Sequence, residues 1–130
     1  MIEVPMTLAT AGACGLLFLV LSWRVVQARV SEKVAMGDGG SDLLITRMRT
    51  HANFTEYVPL ILVMMGFLEA TGANRVAISI MGVALVAVRI AHAIGMPLPA
   101  PNPFRFVGTL GSWLILAVAS LYAIVHAFIG

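Results

Sequence analysis

Arg49, Asn53, Glu56 and Tyr57 stand within Arg47-Met48-Arg49-Thr50-His51-Ala52-Asn53-Phe54-Thr55-Glu56-Tyr57-Val58-Pro59, at the head of a strongly apolar run. At 100° per residue they fall at about 0°, 40°, 340° and 80°, one stripe of one helix. A guanidinium, an amide, a carboxylate and a phenol thus line up over two turns. Arginine forks match carboxylates through two parallel hydrogen bonds, and the amide and carboxylate beside them suit a peptide group and an ammonium. Further along, Arg89 and His92 are three apart and share a face, and Arg105 follows. With Arg29 from the first segment, the basic groups exceed the one in-stripe carboxylate, Glu56. Unpaired guanidinium groups away from water are costly, so this excess points to a small, zwitterionic, net anionic ligand of peptide character.

Those side chains must be held by elements in a lipid-like setting. The 130 residues are 60% hydrophobic and only 11% charged, where an average globular chain carries about 25%. Mean hydropathy is +0.98. So few polar groups argue against a soluble fold and for an integral membrane protein, with intramembrane ionisable groups facing a bundle interior or polar cavity. The net charge of +2 does not point to nucleic acid. The basic residues are scattered and no aromatic residues interleave with them. Cys14 is alone and lies in an apolar run, which makes it a packing residue. His51, His92 and His126 lack metal-ligand spacing, so no metal site is expected. No basic segment precedes the first apolar run, which is about 20 residues long and reads as a membrane span rather than a cleavable signal.

One domain of four helices is expected, at about residues 4–29, 42–70, 74–96 and 103–129. Ala9, Ala11, Gly12, Ala13 and Gly15 make one face of the first helix small enough for close packing. Trp23 and Arg24 sit where an interfacial anchor belongs. Residues 31–40, with Gly37-Asp38-Gly39-Gly40, form a loop. Ser41 or Asp42 caps the second helix, Thr71-Gly72 ends it, and Pro59 should kink it. Only 12 uncharged residues separate Glu56 from Glu69, so the second helix must include the polar stripe to cross a bilayer. Residues 96–103, with four prolines, cannot be helical. Asn102 then serves as N-cap with Pro103 in the first helical position. Arg24, Arg29, Lys33, Arg47 and Arg49 flank the first connection and Arg75 alone marks the second. The positive-inside rule therefore puts the first and third connections, with the polar groups, on the cytoplasmic side.

The pattern Arg49-x-x-x-Asn53-x-x-Glu56-Tyr57-x-Pro59 resembles the second-helix signature of the membrane-associated proteins in eicosanoid and glutathione metabolism, the MAPEG superfamily. Arg89-Ile90-Ala91-His92 and Arg105 follow at that family's order and approximate spacing. Gly37-Asp38-Gly39-Gly40 and Thr50-His51-Ala52-Asn53-Phe54 resemble its bacterial branch, and the likeness covers essentially the whole chain. It implies an all-α, four-helix membrane bundle forming a homotrimer in the inner membrane of a bacterium. Glutathione would be the co-substrate, held between subunits near the cytoplasmic face. Arg29, Arg49, Asn53, Glu56 and Tyr57 would hold it together with Arg89 and His92, and Arg105 would stabilise its thiolate. On this reading Arg29, His92 and Arg105 complete the stripe from other helices, those of a neighbouring subunit.

The implied function is a glutathione transferase or peroxidase-like activity on lipophilic electrophiles that arrive from membrane lipid, in keeping with detoxification. Met96, Phe106 and Thr109 depart from the family at positions where better known members carry tyrosine or serine, which thins the catalytic apparatus. Two alternatives follow from the residues themselves. One is a non-catalytic binding protein for an anionic lipid or metabolite. The other is a structural trimer held by intersubunit ion pairs.

Overall fold

The computed structural model describes all 130 residues, Met1–Gly130. Four helices succeed one another: α1 (Pro5–Glu32), α2 (Asp42–Ala70), α3 (Arg75–Gly95) and α4 (Pro103–Ile129). Three start on a side-chain acceptor that takes up one of the first free backbone amides. Ser41 Oγ accepts from Leu44 N at 3.2 Å, Asn74 Oδ1 from Ala77 N at 3.0 Å and Asn102 Oδ1 from Arg105 N at 2.9 Å.

α1 is capped differently. Val4 offers no side-chain acceptor and Pro5 no amide. The carboxylate of Glu69, buried at the end of α2, accepts from Met6 N at 2.9 Å and Thr7 N at 2.7 Å. An anion at the positive end of a helix is favourable, and here it comes from a neighbouring helix.

α1 runs to Glu32, three residues beyond the expected end at 29. The extension has a local cause. Lys33 takes the left-handed conformation at φ 56° and Val34 N donates to Arg29 O at 3.0 Å. The Arg29 guanidinium then donates to Gly37 O at 2.8 Å, fastening the following loop. α2 passes through Pro59 as one continuous helix and stops before Gly72, whose φ is 86°.

α1 and α4 each pack against both α2 and α3, while α1 and α4 do not touch. The cross-section is therefore a rhombus with α2 and α3 on its short diagonal. Leu21, Phe54, Ile61, Met65, Ile78 and Leu85 form the middle of the core. Only 26 of 130 residues are buried, and Leu16, Phe67, Val83, Trp113 and Leu121 point outward. Such a surface needs lipid or another subunit over it. α1, α3 and α4 are each long and apolar enough to cross a membrane; α2 has the length but carries the polar stripe. The protein is an all-helical integral membrane protein.

The closest helix approaches fall elsewhere than on the small face of α1. A Cβ on Gly12 or Gly15 would meet nothing, whereas one on Gly82 would strike Thr10 and so marks the crossing of α1 with α3.

Candidate functional site

The α3–α4 junction builds the site. A Cβ on Gly95 would collide with the backbone of Phe104 and Arg105, and one on Gly108 with the backbone and Cβ of His92. These two glycines let the start of α4 lie directly on the end of α3. Asn102 fastens the turn between them, its Nδ2 donating to Gly95 O at 3.0 Å and to Pro99 O at 3.2 Å. Arg105 and His92 are thereby brought together.

α2 closes the third side. A polar cavity of about 180 Å³ is lined by Arg49 and Asn53 from α2, His92 and Met96 from α3, and Arg105 and Thr109 from α4. All six come from one protomer. Although a neighbouring subunit is the expected source of Arg29, His92 and Arg105, the parallel α2–α4 and antiparallel α3–α4 packing brings His92 and Arg105 to Arg49 and Asn53 within a single chain.

No carboxylate lines this cavity. Ion pairing within the protomer is confined to Arg75 and Glu3, 3.8 Å apart on the exposed surface near the other end of the bundle. Arg49 and Glu56 do not pair along their helix, and the guanidinium groups of Arg49 and Arg105 point into the cavity region without a side-chain acceptor. Asn53 Oδ1 is buried and lacks a hydrogen-bond partner, so beside two cations stands an acceptor that requires a donor. An anion carrying an N–H group meets both demands.

The other sequence candidates are placed around this cavity rather than in it. Glu56 is exposed on the outer side of α2. Tyr57 is half-buried, its hydroxyl accepting from Trp113 Nε1 at 3.1 Å, which ties α2 to α4. Arg29 holds the loop after α1. Arg89, expected in the ligand set, is only 1% exposed and lies behind the site. Its Nη1 donates to Ser112 Oγ at 3.1 Å, its Nη2 meets His92 Nδ1 at 3.5 Å, and its charge sits 5.6 Å from the Phe54 ring centroid. A guanidinium has donors and no acceptor. In a hydrogen bond between the two, Nδ1 of His92 is the acceptor, which leaves Nε2 to carry the proton of the neutral ring. His51, off the stripe, stacks on Phe18 at 4.6 Å and approaches Ser22 Oγ at 3.1 Å, as a packing residue of α1 and α2.

Sequence reasoning missed Ser112, the partner of Arg89, and Glu69, the cap of α1. Ser112 had a weak signal, standing four residues after Gly108 on the thin face of α4. Glu69 had none, because nothing local reveals that it reaches the start of another helix. Met96 and Thr109, noted as departures, do line the cavity.

Comparison with known proteins decides the family. The model of the MAPEG family matches residues 7–125. The chain belongs to the MAPEG family. It is 40% identical over 80 residues to "Inner membrane protein YecN" of Escherichia coli strain K12, and equally to that of Escherichia coli O6:H1. Each match covers 62% of this chain and 61% of the relative, so the chain spans about three fifths of the length of the relatives it matches. No solved structure matches it. Within this MAPEG chain, the family match runs across all four helices and includes every residue lining the polar cavity.

Proposed function

We propose that this MAPEG protein is a membrane-bound glutathione transferase or peroxidase-like enzyme acting on lipophilic electrophiles. The observation that carries the reading is the convergence of Arg49 and Arg105, both free of carboxylate partners, with Asn53 and His92 in one cavity. Glutathione is an anionic tripeptide. Its carboxylates suit the guanidinium forks and one of its amides suits Asn53 Oδ1. Free thiols ionise near pH 8.5, and a guanidinium beside the sulfur favours the thiolate. Arg105 has that role: the thiol proton passes to water, and the thiolate attacks an electrophilic carbon delivered from lipid. The carbon–sulfur bond forms as the leaving group departs as an anion or, at an activated double bond, as the π bond breaks and the neighbouring carbon takes a proton from water.

A cavity of about 180 Å³ is small beside the roughly 300–1,000 Å³ of ordinary ligand sites. The remainder comes from a neighbouring protomer in a homotrimer, and that role suits Glu56 and Arg29. The likeness to an inner membrane protein supports a bacterial inner-membrane location, and the distribution of basic residues supports a cavity that faces the cytoplasm.

Absorbance of the thiolate on adding glutathione tests the chemistry. A thiolate signal that Arg105→Ala abolishes supports it; no signal from the unmodified protein refutes it. Native mass spectrometry with and without glutathione reports trimer and ligand together. Met96 and Thr109 in the cavity favour one second reading, binding without turnover, because neither supplies a phenol. It predicts retained ligand and no conjugation of model electrophiles.

A further inference from the structure

A second cationic site lies outside the cavity, on the α1–α2 face. Arg47 of α2 reaches across to α1, and its Nη1 donates to the backbone carbonyl of Arg24 at 2.8 Å. The two arginines thus stand together on neighbouring helices. Neither has a carboxylate partner, and Nε of Arg47 is buried with no acceptor. Two adjoining guanidinium groups and an orphaned donor are a combination that the protomer itself leaves unsatisfied.

Position identifies the complement. From Pro5 to Arg24 is 19 residues of α1, a rise of roughly 28 Å at about 1.5 Å per residue. That is close to the approximately 30 Å of a bilayer's hydrocarbon core. Arg24 therefore sits at the boundary opposite the start of α1, at the depth of lipid phosphates. Trp23 beside it is exposed, as aromatic residues at that depth are. One and two turns toward the membrane centre, Val20 and Leu16 are 53% and 70% exposed, making an apolar track directly below the charges.

We propose that Arg24 and Arg47 form a specific site for the phosphate of an anionic phospholipid, with an acyl chain lying along α1 over Val20 and Leu16. The site goes beyond anchoring by single side chains, since it needs one arginine from each helix. Zwitterionic lipids are the weaker ligands, because each brings its own cation to the paired guanidinium groups.

Native mass spectrometry of the full chain, given equal phosphatidylglycerol and phosphatidylcholine with matched acyl chains, tests this. The expected result is retention of phosphatidylglycerol in preference to phosphatidylcholine. At the usual contribution of a basic residue near an anionic surface, R24Q/R47Q lowers that preference about thirty-fold. K33Q/R75Q, which removes two charges elsewhere, leaves it unchanged. No preference in the unsubstituted protein, a measurement independent of any variant's folding, overturns the proposal. So does an equal loss in both double variants, which makes net charge the cause. Displacement by millimolar inorganic phosphate assigns the site to the free ion and also overturns the lipid.

Discussion

Nη2 of Arg89 lies 3.5 Å from Nδ1 of His92, inside the bundle and behind the polar cavity. Because the guanidinium cannot accept, a hydrogen bond between them has Nδ1 as acceptor and leaves Nε2 to donate. His92 Nε2 can then donate to an anion in the cavity, beside the guanidinium groups of Arg49 and Arg105. Nitrogen chemical shifts of labelled histidine are expected to show His92 as the single Nε2–H tautomer. Arg89→Met, similar in length and without charge, should release the ring to a mixture while costing under about 1.5 kcal/mol, as buried charges replaced by apolar groups often do. Arg89→Ala should cost about 2–5 kcal/mol through its void. An Nδ1–H tautomer in the unsubstituted protein would contradict the assignment.

Gly95 and Gly108 set the approach of α4 to α3. Alanine at either position meets backbone rather than a flexible side-chain end, so each change should destabilise the protein by about 1–3 kcal/mol. Thermal unfolding in detergent reads this. Gly12→Ala, where the added methyl meets nothing, is the control and should be neutral or slightly stabilising through helix propensity. Equal loss in all three would show that the α3–α4 contact is not the cause.

Glu69 holds the Met6 and Thr7 amides. Glu69→Ala leaves both without an acceptor and should cost about 1–3 kcal/mol. Faster hydrogen exchange confined to the first turn of α1 is the expected signature. Unchanged exchange at Met6 and Thr7 would show that the carboxylate does not cap the helix.

Arg49→Ala and Arg105→Ala each remove one charge-assisted contact to the proposed glutathione. By calorimetry, each should weaken binding about ten- to a hundredfold. Arg105→Ala should also remove the thiolate absorbance, while Arg49→Ala should leave it in the fraction that binds. Unchanged binding in both would move the ligand out of this cavity.

The helices were legible because apolar length, proline clusters and caps are local signals: Ser41, Gly72 and Asn102 act where the residue types predict. Arg49, Asn53, His92 and Arg105 were recognisable as a set through their charge and spacing. Their assembly within one protomer was not, since it depends on how closely α4 approaches α3. That distance is set by Gly95 and Gly108, whose meaning appears only when their neighbours are known. Arg89 misled for a related reason. A charge three residues from His92 shares its face, but spacing alone does not say which of the two is inside. Tyr57 likewise shares the stripe yet turns its hydroxyl to Trp113.

α1 touches α2 and α3 but never α4, while the cavity is walled by α2, α3 and α4. The first helix is therefore an outrigger beside the polar cavity. Its lipid-facing surface can change with the membrane, or with a new neighbour, while the positions of His92 and Arg105 stay as they are. Any signal from that surface to the cavity has to travel through α2 or α3. Arg47, two residues before Arg49 and bonded to the Arg24 carbonyl of α1, is one such link, and His51 and Phe54, both stacked on Phe18 of α1 and flanking Asn53, are another.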